Sequence, residues 1–560
     1  MPKVARLVWL DEADAGDPAL VGAKACRLAQ ARARGLPVLN GLVVPVSVSD
    51  PVIRTGESVL RTTNNSGAAR SAIFNHQPPS LLGDLAEAAR ELSDSLVVRS
   101  SSQAESESVW AGAFSSYLGV RPEELTQAVM GCWASVFNPN TLKREEMTGT
   151  SPHEVGMAVL IQAEIQPTCG GVATVGDDGT VRVAAALGHP TGLVAGWERG
   201  HTAIVHASGD IQAKAPPLNA RLLNEIADLS RATRDKIGCN HVEWMEDREG
   251  GVLLVQAQPK SDTRVDQVNL PPPDPVQDTE PWMNTAVRMM TRFPGPVGEK
   301  LVWPWAIGLK DLSPAPVEHK SKPMATLIED VRQGAGVLTA MRFEGADSLA
   351  DVDRAWSALR KSDPSPLRDL ISGHPDVDRR LASAHLRNLR DLGLALTTAG
   401  VIPHPRWVWY LDPDNFDRPY PDQQGPMRRI GTTLWDAWIF GVITSQGKSI
   451  AGTPASGGWG VGRLRFIRNA DDAASFSPRE VIATSHPVGN IAPLLWHAAG
   501  LVTAEGSPGA HLFEVAEWLA VPALCGVDLH PWTVGREQTE EEEDVIVAVD
   551  GDQGLITRLP

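Results

Sequence analysis

Two kinds of hydrophobic spacing alternate through the first 260 residues. The segment AKACRLAQARA, 23–33, places apolar residues three and four positions apart, which is the spacing of one helix face. Runs rich in β-branched residues predict strands, among them SLVVRS at 95–100, MAVLIQAEI at 157–165 and GVLLVQAQ at 251–258. This alternation predicts a mixed α/β domain over residues 1–262.

The pattern changes after this domain. KSDTRVDQVNLPPPDPVQDTEPW, 260–282, is rich in proline and polar residues, which predicts a linker over 263–281. Spacing that is mostly helical, as in RRLASAHLRNLRDLGLALTTAG, predicts a mostly helical middle domain over 282–444. Short β runs around one helical segment then predict a compact α/β domain over 445–560, so the whole chain is an α/β multidomain protein.

Composition narrows the classes of partner. The chain is 42% hydrophobic and 21% charged, as in a globular protein, and its net charge of -17 without a basic stripe argues against a nucleic-acid partner. Its five cysteines form no CxxC pair, which argues against a disulfide framework or a zinc site. Since no apolar run is long enough to span a bilayer and no leader pattern opens the chain, we expect a cytoplasmic protein without a membrane partner.

One histidine stands at a predicted helix start. His511 follows the break Ser507-Pro508-Gly509 and precedes an apolar helical run. A helix N-terminus offers unpaired N–H groups and a positive dipole end, so a phosphate attached to the imidazole would be stabilised there. The alternative is a capping or half-buried histidine without chemistry.

The surroundings of His511 resemble the phosphohistidine domain of the phosphoenolpyruvate synthase and pyruvate phosphate dikinase family. The resemblance runs through GLVTAEGSPGAHLFEVAEWLAVPALCGVD, 500–528, and extends to 452–467, 480–500 and 544–556. It implies that the domain over 445–560 is a swivelling domain and that His511 carries a phosphoryl group between two sites.

The front of the chain resembles the ATP-grasp nucleotide domain of the same family. LVGAKACRLAQARARGLPV, 20–38, contains Lys24 at the family's lysine position, and VVRSSSQAESESVWAGAFSSYLGV, 97–120, contains Arg99 at its arginine position. Both cations can bind the triphosphate of ATP, and the serine-rich loop after Arg99 can close over phosphates. The alternatives are two surface cations and a solvated loop.

A predicted hairpin, HVEWMEDREGGVLLVQAQP at 241–259, brings two oxygen ligands together. If the hairpin pairs residue 246 with 251, Glu243 faces residue 254 and lies diagonal to Gln256 on the same face. A carboxylate and an amide oxygen suit Mg²⁺ that bridges nucleotide phosphates, and the resemblance implies this role for both residues. The alternative is a polar, solvent-exposed face of an edge hairpin.

The chain departs from the family at several positions. Gln258 and Glu517 stand where the family has arginines, Ala510 replaces a serine, His241 replaces an aspartate, and segment 186–196 lacks a carboxylate. Loss of a cation that contacts a transferring phosphoryl group weakens transition-state stabilisation. A residue elsewhere, for example Arg536 or one of the middle domain, would have to replace it.

The order of nucleotide, acceptor and histidine domains resembles the rifampin phosphotransferase family, as do segments 292–307 and 399–416. The sequence stops at residue 560, soon after His511, so we expect no pyruvate-binding barrel there and place the acceptor in the middle domain. A group of tryptophans there can line a pocket for a ring-bearing acceptor, although most are expected to be core. They are Trp282, Trp303, Trp305, Trp407, Trp409, Trp435 and Trp438.

These observations predict an ATP- and Mg²⁺-dependent phosphotransferase. Neutral His511, with an ordinary pKa, takes a phosphoryl group from ATP, in that family the β-phosphoryl with release of AMP and phosphate, and passes it to a small-molecule acceptor. Two alternatives remain, a nucleotide-binding relative without phosphotransfer and an enzyme that activates a natural-product intermediate. Candidate acceptor bases are His319, His374, His385 and His404.

Overall fold

The computed structural model describes residues 6–213, 218–259, 276, 281–306, 309, 322–342, 354, 358, 377–416, 434–533 and 545–560. The chain forms two compact units. Unit 1 comprises residues 1–265, 485–493 and 505–520, and unit 2 comprises 266–484, 494–504 and 521–560. The segment that carries His511 therefore belongs by its contacts to unit 1.

The first sheet of unit 1 is antiparallel throughout and has the strand order β1-β2-β5-β3-β4. Its central strands are almost wholly buried because helices cover them. The strands are β1 (Val8–Trp9), β2 (Gly41–Val44), β3 (Leu96–Ser102), β4 (Ser116–Val120) and β5 (Met157–Ala163).

The second sheet of unit 1 is also antiparallel, with the order β11-β10-β6-β7-β8-β9. The hairpin predicted to hold two oxygen ligands forms its edge, β10 and β11. The strands are β6 (Cys169–Val175), β7 (Val181–Leu187), β8 (His201–Val205), β9 (Ile211–Ala213), β10 (His241–Glu246) and β11 (Val252–Gln258).

Nine helices of unit 1 lie in the amino-terminal part of the chain that the structure describes. Helix α1 packs its apolar face into one core with strands of both sheets, and α2 to α5 form a second core with the first sheet. The helices are α1 (Pro18–Ala33), α2 (Val46–Thr63), α3 (Ser66–Asn75), α4 (Leu81–Arg90), α5 (Leu125–Ala134), α6 (Pro139–Thr148), α7 (Pro152–Val155), α8 (Thr191–Val194) and α9 (Ala220–Ile237).

Unit 2 begins with a helical part. One large hydrophobic cluster joins these helices, and it contains Trp303, Trp305, Trp435 and Trp438 as buried members, with Trp282, Trp407 and Trp409 packed against it. Most of these tryptophans therefore are core. The helices are α10 (Pro281–Arg292), α11 (Gly295–Leu301), α12 (Trp303–Ala306), α13 (Met324–Arg342), α14 (Arg379–Thr398), α15 (Leu434–Gln446) and, further along the chain, α16 (Ala470–Ala474).

An eight-stranded mixed sheet completes unit 2, with the order β12-β19-β18-β14-β15-β16-β17-β13. Strands β14 to β17 run parallel to one another and the other pairs are antiparallel. The strands are β12 (Lys448–Ala451), β13 (Thr453–Ser456), β14 (Trp459–Phe466), β15 (Val481–Thr484), β16 (Gly500–Thr503), β17 (Ala523–Cys525), β18 (Ile546–Asp550) and β19 (Leu555–Arg558).

Two further helices follow β16. Helix α17 (His511–Trp518) lies in the segment assigned to unit 1, and α18 (His530–Thr533) lies in unit 2. Helix α17 begins at His511, as the sequence predicts. Ser507-Pro508-Gly509 before it does not favour a helix, and Ala510 at the N-cap is extended.

The predicted α/β multidomain class is confirmed by these sheets and helices. The described residues of the predicted middle domain, 282–444, form helices and no strand. The domain limits 1–262, 263–281, 282–444 and 445–560 stay predictions. Most of the predicted linker, and residue 536, lie outside the described residues.

Candidate functional site

Lys24 lies on α1, close to the loop that follows β3. Its Nζ donates to the backbone oxygen of Ser100 at 3.1 Å and to the carboxylate of Glu105 at 3.0 Å. The side chains of Lys24 and Glu105 are only 10% and 12% exposed. Lys24 is therefore not a surface cation.

The serine-rich loop is held by its own hydrogen bonds. Ser102 and Glu105 form a capping box at the 3-10 helix Gln103–Ser106. The Ser101 hydroxyl donates to Val21 O at 2.7 Å, and the Ser102 hydroxyl donates to Gly156 O at 3.0 Å. These two hydroxyls are buried and hold the loop in place, rather than facing solvent.

Arg99 links the two sheets of unit 1. It lies on β3, and its guanidinium donates to the backbone oxygen of Val255 on β11 at 2.6 Å. The same guanidinium lies 3.5 Å from a carboxylate oxygen of Glu243 on β10. Arg99 thus places positive charge beside the predicted metal ligand.

Glu243 and Gln256 lie directly opposite each other across β10 and β11. The predicted register, in which residue 246 pairs with 251 and Glu243 faces residue 254, is wrong. Glu246 pairs with Val252, and an irregularity between Glu243 and Trp244 shifts the pairing by one residue, so that Val255 is the extra residue of a β-bulge. The shift brings the two oxygen ligands closer than the diagonal arrangement would.

The donor set of this pair suits magnesium. Glu243 and Gln256 are each 6% exposed, so they are not a solvated polar face. Among the described residues, no group of three histidine, cysteine or acidic side chains is placed to hold a metal ion. A hard cation at this pair would therefore need further oxygen ligands, such as nucleotide phosphates.

All five residues singled out by the sequence line one cavity of unit 1. The cavity measures about 370 Å³ and opens to solvent. A volume of this size, with apolar walls and a few charged groups, is typical of small-molecule sites. Its chemically important lining residues are Lys24, Arg99, Glu105, His189, Glu243, Gln256, Gln258 and His511.

His511 is the first residue of α17 and is half-buried. Its Nδ1 lies 2.9 Å from the Oε1 atom of Glu514, three residues further along the helix. With Nδ1 occupied by this carboxylate, Nε2 is the nitrogen left for chemistry in the cavity. Neither nitrogen is involved in capping the helix, whose N-cap is Ala510 without a side-chain hydrogen bond.

The electrostatic environment of His511 differs from the ordinary one that the sequence suggests. Burial by itself lowers the pKa of His511, but the hydrogen bond and charge of Glu514 and the charge of Glu243 outweigh burial, and the pKa is raised overall. Burial would raise the pKa of Glu514, yet the charges of His241 and His511 lower it. A larger share of His511 is therefore protonated at neutral pH than for a free histidine.

Two glycines allow the histidine segment to lie close to the rest of unit 1. Gly112 has a φ of 62°, and a Cβ atom there would come within 2.9–3.2 Å of the His511 side chain. A Cβ at Gly509 would lie 2.0 Å from a methyl group of Val172 on β6. Both positions therefore exclude larger residues while His511 lines the cavity.

Segment 485–493 is attached to a buried arginine. Arg144 on α6 is wholly buried, and it donates to the backbone oxygens of Val109 and Ala111 at 2.8 Å each. A second guanidinium nitrogen lies 3.4 Å from Gly489 O. Burial lowers the pKa of Arg144 to about 10, so the group still carries its charge at neutral pH. Arg144 therefore connects segment 485–493 to the turn that precedes Gly112.

The departures from the family at residues 241 and 258 form one pair. His241 and Gln258 are directly opposite on β10 and β11, so the aspartate and the arginine of the family pattern are both replaced at neighbouring positions. His241 Nδ1 lies 2.9 Å from the Thr174 hydroxyl. Gln258 lines the cavity and supplies an amide where a cation is expected.

A second cavity lies in unit 2. It measures about 80 Å³ and is lined by Trp303, Trp409 and Trp435 together with arginines and acids. Among the acids, Glu480 is held by Arg465 through two hydrogen bonds of 2.8 and 3.1 Å. The cavity joins aromatic side chains to charged ones.

Two of the four candidate acceptor bases lie in described parts of unit 2. His385 is 2% exposed, and its Nε2 lies 3.1 Å from Leu301 O. Burial lowers the pKa of His385 to about 4. Burial also lowers the pKa of His404, whose ring accepts the Arg406 backbone N–H at the start of the 3-10 helix Pro405–Tyr410. His319 and His374 lie outside the described residues.

Sequence reasoning missed three polar residues of the site. Glu105 pairs with Lys24, Glu514 pairs with His511, and His189 lines the cavity, where burial lowers its pKa. The Ser-x-x-Glu spacing of Ser102 and Glu105 and the i to i+3 spacing of His511 and Glu514 were visible signals. Nothing in the spacing along the chain points to His189.

Two domain families match the chain. The family described as the AMP/ATP-binding domain of pyruvate phosphate dikinase matches residues 18–215, and the mobile domain of PEP-utilising enzymes matches residues 476–554. The first match covers Lys24 and Arg99, and the second covers His511. The predicted ATP-binding domain at the start of the chain is thereby confirmed.

Whole-chain similarity is more distant. A probable phosphoenolpyruvate synthase of Staphylothermus marinus is 22% identical over 608 aligned residues, which cover 99% of this chain and 58% of that protein. The prodigiosin synthesizing transferase PigC of Serratia marcescens is 27% identical over 286 residues, which cover 43% of this chain and 32% of PigC. The chain therefore spans little more than half the length of the first relative and a third of the second.

A solved structure, the D-alanine-D-alanine ligase of Coxiella burnetii, aligns with 42% of this chain and 45% of its own at 9% identity and a TM-score of 0.20. This score is too low to show a shared fold. The nucleotide-binding domain at the start and the mobile domain near the end, in this order, place the chain in the phosphoenolpyruvate synthase and pyruvate phosphate dikinase superfamily.

Proposed function

We propose that the protein is an ATP-dependent phosphotransferase that passes a phosphoryl group through His511 to a small-molecule acceptor. The proposal rests mainly on one observation. His511 lines the same cavity of unit 1 as Lys24, Arg99, Glu243 and Gln256, the residues proposed to bind ATP. The match of this segment to the mobile-domain family, together with its position beside the residues proposed to bind ATP, supports direct transfer of phosphorus to His511.

Lys24 and Arg99 bind the triphosphate in this proposal. When ATP enters, the ammonium of Lys24 exchanges part of its contact with Glu105 for phosphate oxygens, and the planar guanidinium of Arg99 binds a second phosphate. Glu243 and Gln256 would hold Mg²⁺, which would neutralise phosphate charge when bound. Gln258 binds phosphate through its amide, more weakly than an arginine would.

Transfer to His511 follows the bond changes implied by the family. The Nε2 lone pair attacks the β-phosphorus, an N–P bond forms, and the bond between the bridging oxygen and the β-phosphorus breaks, so that its electron pair leaves with AMP. Water then removes the γ-phosphoryl as phosphate and leaves one phosphoryl group on Nε2. His511 must be neutral for the first step, because the protonated ring has no lone pair at Nε2.

The phosphoryl group next moves to the acceptor. A hydroxyl oxygen of the acceptor attacks phosphorus, the N–P bond breaks, its electron pair returns to Nε2, and a base at the acceptor takes the hydroxyl proton. We propose that the acceptor binds at the cavity of unit 2, where Trp303, Trp409 and Trp435 of the predicted middle domain meet residues 461–463 and 477–480. In this proposal the segment with His511 carries the phosphoryl group from ATP to the acceptor, in keeping with the family's description as a mobile domain.

Labelled ATP tests this function. The protein is incubated with Mg²⁺ and ATP labelled at the β or the γ phosphorus, and the isolated protein is assayed for acid-labile label and the solution for AMP. We expect label from the β position only, released AMP, and no label on a His511→Asn variant. ATP binding without label on the wild-type protein would overturn the proposal and favour a nucleotide-binding relative without phosphotransfer.

A second candidate function comes from one relative. PigC of Serratia marcescens is named as a transferase that synthesises prodigiosin, and its similarity covers 43% of this chain. A protein of this kind would use the phosphoryl group to activate an intermediate of a natural-product synthesis. Mass spectrometry distinguishes the two, because a phosphotransferase leaves a stable phosphorylated acceptor and an activating enzyme releases phosphate once its co-substrate is added.

A further inference from the structure

We propose that Glu514 is a positioning residue that fixes the reacting tautomer of His511 and seats α17 at the nucleotide cavity through His241. This inference rests on the proposed function and extends it. It assigns a role to two residues that the chemistry above does not use, one on the helix that begins at His511 and one on β10.

The contact between Glu514 and His511 selects one nitrogen. Glu514 Oε1 lies 2.9 Å from Nδ1 of His511, which is the distance of a charge-assisted hydrogen bond. A carboxylate only accepts, so Nδ1 carries the proton and Nε2 keeps its lone pair. The side chain of Glu514 is 11% exposed, so water competes weakly for this bond.

The same carboxylate faces His241 on the edge hairpin. Glu514 Oε1 lies 3.8 Å from Nε2 of His241, while Nδ1 of His241 lies 2.9 Å from the hydroxyl of Thr174. Within the described residues, His241 Nε2 and Glu514 Oε2 are buried and have no hydrogen-bond partner. A small movement of α17 towards β10 would satisfy both atoms, so His241 and Glu514 are complementary groups at a docking contact.

The pair also responds to the charge that develops during transfer. When Nε2 of His511 bonds to phosphorus and the bond from phosphorus to the leaving oxygen breaks, the ring keeps its proton at Nδ1 and gains positive charge. The Glu514 carboxylate lies against that proton and stabilises the charge. His241 is itself held opposite Gln258 by the register of β10 and β11, so it offers the Glu514 carboxylate a fixed docking partner.

The experiment uses the full-length protein and four variants. Glu514→Gln removes the charge and keeps an oxygen at Nδ1, Glu514→Ala removes both, and His241→Gln removes the docking partner alone. Glu225→Gln is the matched control, because it removes the same charge from the exposed surface of α9. The readouts are the affinity for ATP, the initial rate of phosphoryl loading, and the position of the phosphoryl group on the ring by ³¹P NMR.

We expect the wild-type protein and Glu225→Gln to carry phosphorus on Nε2 alone. Glu514→Ala is expected to load about 10- to 100-fold more slowly and to carry a mixture of Nε2 and Nδ1 isomers, with the affinity for ATP unchanged. Glu514→Gln and His241→Gln are expected to load more slowly with phosphorus on Nε2. A protein destabilised in general would lose rate without a change of isomer.

The outcomes separate this inference from the proposed function. If the wild-type protein takes no label, the proposed function fails and the role of Glu514 fails with it. If the wild-type protein is labelled and Glu514→Ala loads at the same rate with phosphorus on Nε2 alone, the function stands and the positioning role is wrong. An unchanged loading rate in His241→Gln would overturn the docking role of that residue.

Discussion

The Lys24 ammonium and the Glu105 carboxylate lie 3.0 Å apart at the edge of the cavity, and both side chains are nearly buried. The pair keeps Lys24 in the cavity when no nucleotide is bound, because a buried ammonium without a partner is costly. Glu105 is itself fixed by the backbone N–H of Ser102, so it cannot follow Lys24 towards a ligand. If Lys24 binds ATP as proposed, the nucleotide draws it partly away from Glu105.

Replacement of Lys24 by methionine is expected to weaken ATP binding by about 10- to 100-fold, since a hydrogen bond to a charged group contributes about 1.5–3 kcal/mol. Isothermal titration calorimetry with ATP measures the effect. Lys236→Met on α9 is the control, because Lys236 lies at the surface and donates to a backbone oxygen there. Since Lys24→Met leaves Glu105 buried without its partner, the double variant with Glu105→Gln is measured beside it. Equal affinity in the wild-type protein and both variants would contradict the role of Lys24.

The directly opposed pair of Glu243 and Gln256 gives a prediction about magnesium. Glu243→Gln keeps the shape of the side chain and removes the one carboxylate of the pair, so the Mg²⁺ concentration at half-maximal loading of His511 should rise about tenfold or more. Loading measured across a magnesium titration checks this, and chelation of Mg²⁺ should abolish loading in every variant. Glu246→Gln, on the same strand and outside the cavity lining, serves as control. An identical titration curve for Glu243→Gln would exclude it as a ligand.

Much of this site could be predicted from the sequence, because its motifs occur in the order of a known family. Lys24, Arg99, Glu243, Gln256 and His511 all line the predicted nucleotide cavity. The exact pairing of β10 with β11 could not be predicted. The chain forms a five-residue loop between Glu246 and Val252 and a bulge at Val255, and neither loop length nor bulge position follows from alternation of apolar and polar residues.

The hydrogen-bond partners of the charged residues could not be predicted from the sequence either. Arg99 donates to Val255 O, 156 positions away along the chain, and Lys24 bonds to Glu105, 81 positions away. Such contacts depend on how two sheets and a helix pack, which local patterns do not encode. The raised pKa of His511 follows from the same packing, because it depends on Glu243 from a distant strand as well as on the neighbouring Glu514.

Because Gly112 lies close to His511, a methyl group added at Gly112 should disturb the position of the imidazole. Gly112→Ala places a Cβ within 3.2 Å of the imidazole and should lower the loading rate of His511 about tenfold or more, with little change in ATP affinity. Gly149→Ala is a matched control, because Gly149 has a similar φ of 68° and no atom within 4 Å of the added methyl. Any backbone strain is therefore common to both variants. If the two variants load at the same rate, His511 does not react from the position seen beside Gly112.

The raised pKa of His511 sets the pH dependence of loading. The neutral ring reacts, so the loading rate should rise with pH through a pKa above the ordinary 6.5 and then level off. Glu514 and Glu243 favour the protonated ring and Lys24 opposes it, so Glu514→Gln should move the rising limb to lower pH. Because the folded pKa is raised, the stability that protonated His511 contributes is present below pH 6.5 and is lost as the pH rises through the raised pKa. Single-turnover loading between pH 5 and 9 measures the limb, and a limb at the same pH in both proteins would contradict the coupling.

The lowered pKa of His385 predicts that the stability of unit 2 falls at low pH, which is opposite to the dependence expected from His511. Its ring is buried against Trp305 and bonds to Leu301 O, and burial lowers its pKa to about 4 from an ordinary value of 6.5. The unfolded chain binds a proton between these values and the folded chain does not, so this stability is full above about pH 6.5 and is lost as the pH falls towards 4. A shift of this size corresponds to about 3 kcal/mol.

His385→Gln keeps an amide donor for Leu301 O and cannot titrate, so it should flatten the loss of stability between pH 6.5 and 4. Urea unfolding followed by tryptophan fluorescence at several pH values measures the effect, since the helical part of unit 2 is rich in buried tryptophans. His530→Gln is the control, because His530 lies on α18, outside the hydrophobic cluster that surrounds His385. A buried neutral ring with its Nε2 on a backbone oxygen is a structural group, and His385→Gln should accordingly leave the transfer from phosphorylated His511 to the acceptor intact. If that transfer stops while the folded protein and the loading of His511 are preserved, His385 is the acceptor base and its buried position in unit 2 must open during turnover.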